Sequence, residues 1–178
     1  LGSLAVGALV LGCQSTGTMG VKKASADDSD CFSPDLFLSI APDGQVTIIT
    51  HRSEMGTGIR TALPTVIADE LGADWQRVTL EQAIGDARYG DQNTDGSRSV
   101  RQFYERMRVA GATARTMLEQ AAAKRWGVPA TECSTANHAV AHKKSGRKLD
   151  FKDVVADAAK LDVPDKDSLR MKPSSEYR

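Results

Sequence analysis

The 178 residues suffice for one hydrophobic core, alone or preceded by a leader, and are too few for two large domains. Hydrophobic residues make up 40% of the chain and charged residues 26%, which is typical of a soluble globular protein. The 23 basic and 23 acidic side chains cancel, so the sequence lacks the basic surplus by which nucleic-acid-binding proteins neutralise phosphates, although a local anion site is still possible.

The first thirty residues predict an export signal and a tether. Residues 1–12 carry no charge, are too few to span a bilayer as a helix, and match the apolar core of a secretory signal. Residues 14–30 contain almost nothing to bury, which is typical of a flexible linker. We therefore expect a protein in the periplasm or at the periplasmic face of the inner membrane. Cys13 follows a sequence that loosely matches a lipoprotein cleavage box, so a lipidated cysteine and an incidental one are both open interpretations.

Ordered structure is expected to begin near Phe32. Two strand-rich runs around a Pro-Asp-Gly turn predict a hairpin over residues 36–50. A helix is expected over residues 61–71, with Thr61 as its cap and Pro64 tolerated in its first turn. The glycine that follows, Gly72, is expected to close this helix.

The middle of the chain predicts a strand, a long polar loop and a long helix. Residues 77–82 alternate in polarity like a half-buried strand. Residues 85–98 are rich in Gly, Asp and Asn and are long for a passive connection, which makes them a candidate functional loop. Apolar residues at three- and four-residue spacing, beginning with Val100, then predict a helix over residues 100–126 that Gly127 ends.

The last third predicts a second hairpin around residues 144–147 and a short helix that opens at Asp150 or Lys152 and ends near Leu161. Hairpins and helices alternate, so we predict an α+β fold in which short sheets pack with helices. One domain is expected over residues 31–161, followed by a charged linker over residues 162–178. Cys31 and Cys133 are open to two interpretations, a disulfide and two unpaired thiols.

Two glycine turns carry the candidate chemistry. Gly56-Thr57-Gly58 and Asp95-Gly96-Ser97-Arg98-Ser99 each follow a predicted strand and precede a predicted helix start. Free backbone N–H groups and the helix dipole favour anions at such turns, and glycine lets the backbone approach a ligand. Ser99 fits a helix N-cap equally well. We expect two unsatisfied helix starts that, with Arg98, hold phosphate in one shared cleft.

Three sequence runs resemble one enzyme family. They are Arg52-Ser-Glu-Met-Gly-Thr-Gly-Ile-Arg-Thr-Ala-Leu-Pro64, Asn93-Thr-Asp-Gly-Ser-Arg-Ser99 and Trp126-Gly-Val-Pro129. In order and composition the chain resembles the isoquinoline 1-oxidoreductase beta-subunit type of the xanthine dehydrogenase/aldehyde oxidoreductase superfamily, most closely over residues 43–146. The first run differs from the family's pattern at one position, where Thr57 replaces Gln.

The resemblance implies a molybdopterin-binding domain. It implies contact between the glycine turns and a molybdopterin cytosine dinucleotide, through Gly56, Thr57, Gly58, Gly96, Ser97, Arg98 and Ser99. It further implies partners: the remainder of a large subunit, a small subunit carrying [2Fe–2S] clusters, and a cytochrome c as a candidate electron acceptor. Thr57 keeps a hydroxyl donor but lacks the paired donor and acceptor of the family's amide, whereas the backbone role of the glycines does not depend on this side chain.

The function implied is oxidative hydroxylation of N-heterocycles or aldehydes. The family's glutamate base lies in a later motif that has no counterpart before Arg178, so we assign no catalytic residue and expect the chain alone to be inactive. Glu54 is interpreted as an acceptor that orients the first loop, and His51 as a structural histidine. A zinc site at His138 and His142 is disfavoured because no third ligand is evident, and no metal ligand is assigned. The alternative is a non-catalytic exported module, for binding or assembly, or a lipoprotein, that keeps the fold.

Overall fold

The computed structural model describes residues 31–177. The expectations for the export signal, the tether and Cys13 lie outside these residues. Among the described residues, no helix combines the length and the apolar composition that crossing a membrane requires.

A four-stranded mixed sheet forms one layer. Its strands are β1 (Phe32–Asp35), β2 (Leu38–Ile40), β3 (Val46–Thr50) and β4 (Val78–Gln82), hydrogen-bonded in that order. The pairing of β2 with β3 confirms the first hairpin, and β4 confirms the strand predicted after it. β4 runs parallel to β3. Strand β1 was not predicted, because it is short, contains Pro34 and pairs irregularly with β2 at the sheet edge.

Helix α1 (Ile59–Leu71) connects the two parallel strands. The expected cap at Thr61 is wrong, because the chain enters the helix earlier, through Gly58 in a left-handed conformation. Pro64 consequently lies inside the helix rather than in its first turn. Its ring deprives the carbonyl of the exposed Arg60 of an intrahelical donor, and water can replace that donor. Gly72 ends the helix in a left-handed conformation, as predicted.

Helix α2 (Ser99–Trp126) is the longest element and packs along α1. It ends at Gly127, as predicted, and begins at Ser99 with Arg98 as the cap residue, so the interpretation of Ser99 as the N-cap is wrong. The buried stripe starts later than expected, because Val100 is 45% exposed. Gly111 allows close packing: a Cβ atom built on it would lie 2.7 Å from the carbonyl oxygen of Ile67.

A second, three-stranded antiparallel sheet packs against the later part of α2. It contains β5 (Cys133–Ala136), β6 (Ala139–His142) and β7 (Lys148–Asp150). The β6–β7 hairpin confirms the predicted one, whereas β5 was not predicted. Helix α3 (Phe151–Ala158) follows with Asp150 as its cap in a capping box and ends earlier than Leu161. With these helices and sheets, the α+β class is confirmed.

The segment of residues 162–178, interpreted as a linker, lies in part against the two long helices. The buried carboxylate of Glu70 accepts hydrogen bonds from Arg115 Nη1 and from the backbone N–H of Lys172, both at 2.8 Å. Arg115 also donates to the main-chain oxygen of Arg170. The tail is thereby bonded to α1 and α2; that it links to a further region stays a prediction.

Candidate functional site

The residues after β3 join the two candidate loops. Ser53 donates its backbone N–H and its hydroxyl to the carbonyl oxygen of Gln92, at 3.1 and 2.9 Å. Thr94 Oγ1 donates to the carbonyl oxygen of Ser53 at 2.5 Å. Gln92 Nε2 donates to the carbonyl oxygens of Ile84 and His51. The long polar loop is therefore fixed against the stem of the first glycine loop.

Arg52 carries a positive charge beneath this junction. It is 1% exposed; its Nε donates to Ser99 Oγ at 3.1 Å, and its Nη1 lies 3.3 Å from Asp91 Oδ2. Its guanidinium carbon lies 5.2 Å from the centre of the Phe103 ring. The Asp91 carboxyl has a lowered pKa, chiefly because the Asn93 backbone N–H donates to it and secondarily because of Arg52. Arg52 thus connects the end of β3, the second loop and the first residue of α2.

His51 is a buried structural histidine beside Arg52. Its ring centre lies 4.9 Å from that of Phe37 and 4.3 Å from that of Phe103. Burial, with a smaller contribution from the neighbouring Arg52 charge, lowers the pKa of His51 to about 4. The ring is therefore neutral at physiological pH, and its buried Nε2 has no hydrogen-bond partner among the described residues.

In the first loop, Glu54 fills the start of α1. Its two carboxylate oxygens accept the backbone N–H groups of Gly58 and Arg60, each at 3.0 Å. These bonds, that of Arg60 first, lower the pKa of the Glu54 carboxyl. The role predicted for Glu54, a loop-orienting acceptor, is confirmed. The expectation of an unsatisfied start at α1 is wrong, because this side chain supplies the anion itself.

The glycines of the first loop leave open space above the backbone. Gly56 and Gly58 have φ angles of 82° and 77°, and a Cβ atom built on either would meet nothing within 4 Å. Thr57 between them is exposed. L-residues rarely adopt these angles, so the loop depends on glycine, and its outer face is accessible to a ligand.

In the second loop, Arg98 is already paired. Its Nη2 lies 2.6 and 2.7 Å from the two carboxylate oxygens of Asp95, which raises the pKa of the guanidinium. Gly96 and Ser97 both have positive φ angles, of 52° and 54°. No side chain caps α2. The backbone N–H groups at this helix start are thus available, whereas the arginine charge is locally compensated.

Both helices begin at the same end of the domain. Arg52, ahead of α1, is bonded to Ser99 at the start of α2, and further along Ile67 lies against Gly111. Later again, Glu70 of α1 is bonded to Arg115 of α2. Contacts that advance together along both helices mean that the helices run in the same direction. The two glycine loops therefore lie at one end of the domain and on neighbouring segments.

The remaining candidate residues have separate partners. His138 Nε2 is 2.7 Å from the Gly44 carbonyl oxygen and its Nδ1 accepts the Asp74 backbone N–H. His142 is bonded to Glu132 and Ser145. Within residues 31–177, no group of three or more His, Cys, Asp or Glu side chains could hold a metal ion. Cys31 and Cys133 are not joined to each other in a disulfide.

Comparison with known proteins identifies the family of this chain. A family model described as a molybdopterin cofactor-binding domain matches residues 8–177. The chain belongs to this molybdopterin cofactor-binding domain family. The two glycine loops and the α+β fold described above are therefore features of a family member.

Curated relatives of this family member are much longer. The chain is 40% identical over 131 residues to the isoquinoline 1-oxidoreductase subunit beta of Brevundimonas diminuta, covering 70% of the chain and 17% of that protein. It is 37% identical over 150 residues to a membrane-bound aldehyde dehydrogenase (pyrroloquinoline-quinone) of Gluconacetobacter polyoxogenes, covering 83% of the chain and 19% of that protein. The chain thus spans less than a fifth of the length of these relatives.

Solved structures support the fold. Quinoline 2-oxidoreductase from Pseudomonas putida 86 superposes with a TM-score of 0.55 at 20% identity, over 72% of this chain and 17% of that one. Reconstituted CO dehydrogenase from Oligotropha carboxidovorans superposes with a TM-score of 0.56 at 21% identity, over 67% of this chain and 15% of that one. These two chains therefore share the fold of the described residues.

Sequence reasoning missed the residues that hold the family's two loops together. Arg52 and Gln92 stand within the quoted runs or beside them, but neither was given a role. The available signal was a charged residue directly after a strand of apolar and threonine residues, where a buried charge needs a distant partner. That partner, Asp91, is 39 residues away.

Proposed function

We propose that the two glycine loops form part of the cradle for a molybdopterin dinucleotide, in the cytosine form, in an enzyme that hydroxylates N-heterocycles or aldehydes. One observation carries the proposal: two glycine-containing loops are bonded together at the common end of two helices that run in the same direction. Membership of the molybdopterin-binding family supports the choice of ligand class.

The residues present fit an anionic, flat ligand. Gly56 and Gly58 have no neighbouring atoms where a Cβ would stand, so a ring can approach the backbone there. The uncapped start of α2 presents N–H groups, with Gly96, Ser97 and Ser99 beside them, to a phosphate. Thr57 would add a hydroxyl, and Arg98 would contact phosphate only after leaving Asp95.

The bound cofactor would supply the redox chemistry, while this chain binds and orients it. We assign no catalytic residue to the chain. We further propose three partners: the remainder of a large subunit, a [2Fe–2S] small subunit and a cytochrome c as electron acceptor. We also propose that the protein is exported to the periplasm. In this proposal residues 1–30 are a signal remnant and tether, residues 31–161 form the binding domain, and residues 162–178 are a linker.

Cofactor loading tests the proposal through two matched glycine variants. Gly56→Ala places a methyl group in the proposed ligand space, at a backbone angle that L-residues disfavour. Gly146→Ala, with a φ angle of 70° and nothing within 4 Å, introduces the same strain in the distant β6–β7 hairpin. The measurement is pterin fluorescence and molybdenum content per mole of purified chain, after expression with cofactor synthesis.

We expect Gly56→Ala to lose most of the bound pterin and Gly146→Ala to keep it. Equal pterin content in both variants, or no pterin in the unsubstituted chain, would contradict the proposal. The alternative, a non-catalytic binding or assembly module, is favoured by Thr57 in place of Gln and by the pairing of Arg98 with Asp95. A chain that loads pterin but never supports hydroxylation when combined with the remainder of a large subunit and an iron–sulfur partner subunit would favour that alternative.

A further inference from the structure

The tip of the β6–β7 hairpin is densely basic. Residues 143–148, here called the basic tip, read Lys-Lys-Ser-Gly-Arg-Lys. All four cationic residues, Lys143, Lys144, Arg147 and Lys148, are exposed. Four positive charges within six residues form a local surplus in a chain whose net charge is zero. This surplus lies on the second sheet, away from the glycine loops.

Most of these charges form no direct ion pair with a described residue, although Lys143 lies near enough to the buried Glu119 carboxyl to offset part of the rise in pKa that burial causes there. Lys144 lies 2.5 Å from Glu132 Oε1. Lys143, Arg147 and Lys148 form no ion pair with any carboxylate of residues 31–177. Three like charges held close together repel one another, and an acidic surface that docks there would remove this cost.

The backbone of the basic tip is held in one conformation. His142 donates its backbone N–H to the Arg147 carbonyl oxygen, and Gly146 donates to the His142 carbonyl oxygen, each at 2.9 Å. The buried His142 ring links Ser145 Oγ, 2.7 Å from Nδ1, with Glu132 Oε2, 2.9 Å from Nε2. Arg147 Nε donates to the same Ser145 hydroxyl. Because these bonds fix the turn before any contact forms, its charges are presented with little loss of backbone entropy on binding.

The end of α2 extends the same basic surface. Arg147 stacks over Trp126, with its guanidinium carbon 5.5 Å from the ring centre, which brings the tip against the last turn of the helix. Lys124 in that turn is exposed and forms no ion pair with a described residue. Trp126 itself is only partly exposed and packs on the core. The surface therefore offers cations and one covered aromatic ring.

We propose that the basic tip is a docking surface for an acidic patch on a partner protein. An element that anchors in a lipid interface inserts apolar side chains beside its cations, and residues 143–148 contain none, so attraction to anionic headgroups would rest on charge alone. The nearest large aromatic ring is engaged by Arg147 and the core. Electrostatic complementarity between folded surfaces needs only fixed, exposed charges, which are present. The surface does not depend on the proposed cofactor site.

The probe is immobilised poly-L-glutamate, and the measurement is binding of the full chain to it. The test variant combines Lys143→Gln, Arg147→Gln and Lys148→Gln. The control combines Lys152→Gln, Lys160→Gln and Lys166→Gln, three exposed lysines that lower the net charge by the same amount. Affinity is measured at low and at physiological ionic strength, and circular dichroism verifies that each variant is folded. Vesicles of phosphatidylglycerol provide the comparison with a lipid surface.

We expect the test variant to bind poly-L-glutamate about tenfold more weakly at low salt, and the control to stay within about twofold of the unsubstituted chain. Equal weakening in both variants would mean that net charge alone acts, which overturns the proposal. Tip-dependent binding to phosphatidylglycerol vesicles without tip-dependent binding to poly-L-glutamate would assign the surface to a membrane and overturn it as well. Should Arg147→Gln unfold the turn, the pair Lys143→Gln and Lys148→Gln gives the same comparison without disturbing Ser145.

Discussion

Arg52 makes a buried charge serve as a structural link. Burying a cation is unfavourable unless it is paired and hydrogen-bonded. Arg52 meets this requirement in part, through Asp91, Ser99 and the face of Phe103, while its buried Nη2 has no hydrogen-bond partner among the described residues. These partners come from the second loop and from α2, whereas Arg52 follows β3. Its side chain therefore fixes how far apart the two glycine loops lie.

Replacing Arg52 is expected to lower the free energy of unfolding. Arg52→Met keeps an apolar stem but removes the positive charge beside Asp91 and the donor to Ser99 Oγ, which should cost about 2–4 kcal/mol. Arg101→Met is the control, because Arg101 is an exposed arginine in the first turn of α2. Urea denaturation at pH 7 measures both. A loss below about 0.5 kcal/mol for Arg52→Met, the range of ordinary surface substitutions, would contradict the linking role.

Asp95 is expected to limit anion binding at the second loop. Its carboxylate occupies the guanidinium of Arg98, so Arg98→Ala should change affinity for inorganic phosphate little. Asp95→Asn removes the competing charge and should strengthen phosphate binding up to about fivefold. Calorimetric titration with phosphate measures both variants. A large loss in Arg98→Ala together with no gain in Asp95→Asn would restore the role that the sequence alone predicts for Arg98.

The residues that could be predicted at this scale are those with nearby partners. Glu54 lies four and six residues from the N–H groups that it accepts, and its role followed from the adjacent helix start. Arg98 was assigned to a ligand because Asp95, three residues away, was not considered as its partner. The pairing of Arg52 with Ser99 spans 47 residues, and no periodicity or turn signal in the sequence specifies a contact at that separation.

At the scale of elements, Gly111 sets the distance between α1 and α2. A methyl group there would meet the Ile67 carbonyl oxygen at 2.7 Å and Glu70 Cβ at 2.9 Å. Such contacts involve the backbone of α1, so relief requires the helices to separate. Because both glycine loops are attached to these helices, a change in their spacing is transmitted to the candidate site.

Gly111→Ala is therefore expected to destabilise the domain even though alanine favours helix formation. Overpacking of this kind costs about 1–3 kcal/mol, against roughly 1 kcal/mol gained in helix propensity. Thermal unfolding should show a lower Tm, and pterin fluorescence should show a lower pterin content per chain. Gln102→Ala, an exposed α2 position, is the control and should leave both unchanged. A raised Tm in Gly111→Ala would show that the space between α1 and α2 accommodates the added methyl group, which would contradict the prediction.

Elements with strong end signals were predicted well. Glycine commonly ends a helix, and aspartate commonly caps the start of one. Gly72 and Gly127 end α1 and α2, and Asp150 caps α3. Strands β1 and β5 were missed because neither contains a run of strand-forming residues: β1 reads Phe-Ser-Pro-Asp and β5 reads Cys-Ser-Thr-Ala. Their place depends on pairing with neighbours and on packing against α2, which local patterns do not record.

At the scale of the whole molecule, stability is expected to depend on pH through two buried histidines. Burial lowers the pKa of His51 to about 4 and also lowers that of His138. In the unfolded chain each ring has a pKa of about 6.5, whereas in the folded protein its pKa is lower, so protonation requires a lower pH. The stabilisation is therefore fully present above pH 6.5 and declines as the pH falls towards 4, by about 3 kcal/mol for His51.

Urea denaturation between pH 7 and 4.5 measures this dependence. His51→Phe retains the aromatic packing between Phe37 and Phe103 but cannot titrate, so its stability should change less with pH than that of the unsubstituted chain. The comparison uses the slope rather than the absolute stability, since the substitution also changes packing. Parallel pH dependences in the two proteins would show that His51 does not contribute.

The parallel pairing of β3 with β4 has a consequence for the order of folding. Val46 faces Val78 and Thr50 faces Gln82, so every bond of this ladder closes a loop of about thirty residues. The chain loses the conformational entropy of closing this loop before the first hydrogen bond of the ladder forms, unless α1 forms early and brings the two strands closer together. The β6–β7 hairpin, by contrast, closes locally. The first sheet, α1 and the start of α2 should thus assemble together in the rate-limiting step, and the two glycine loops acquire their final shape only as that step is completed.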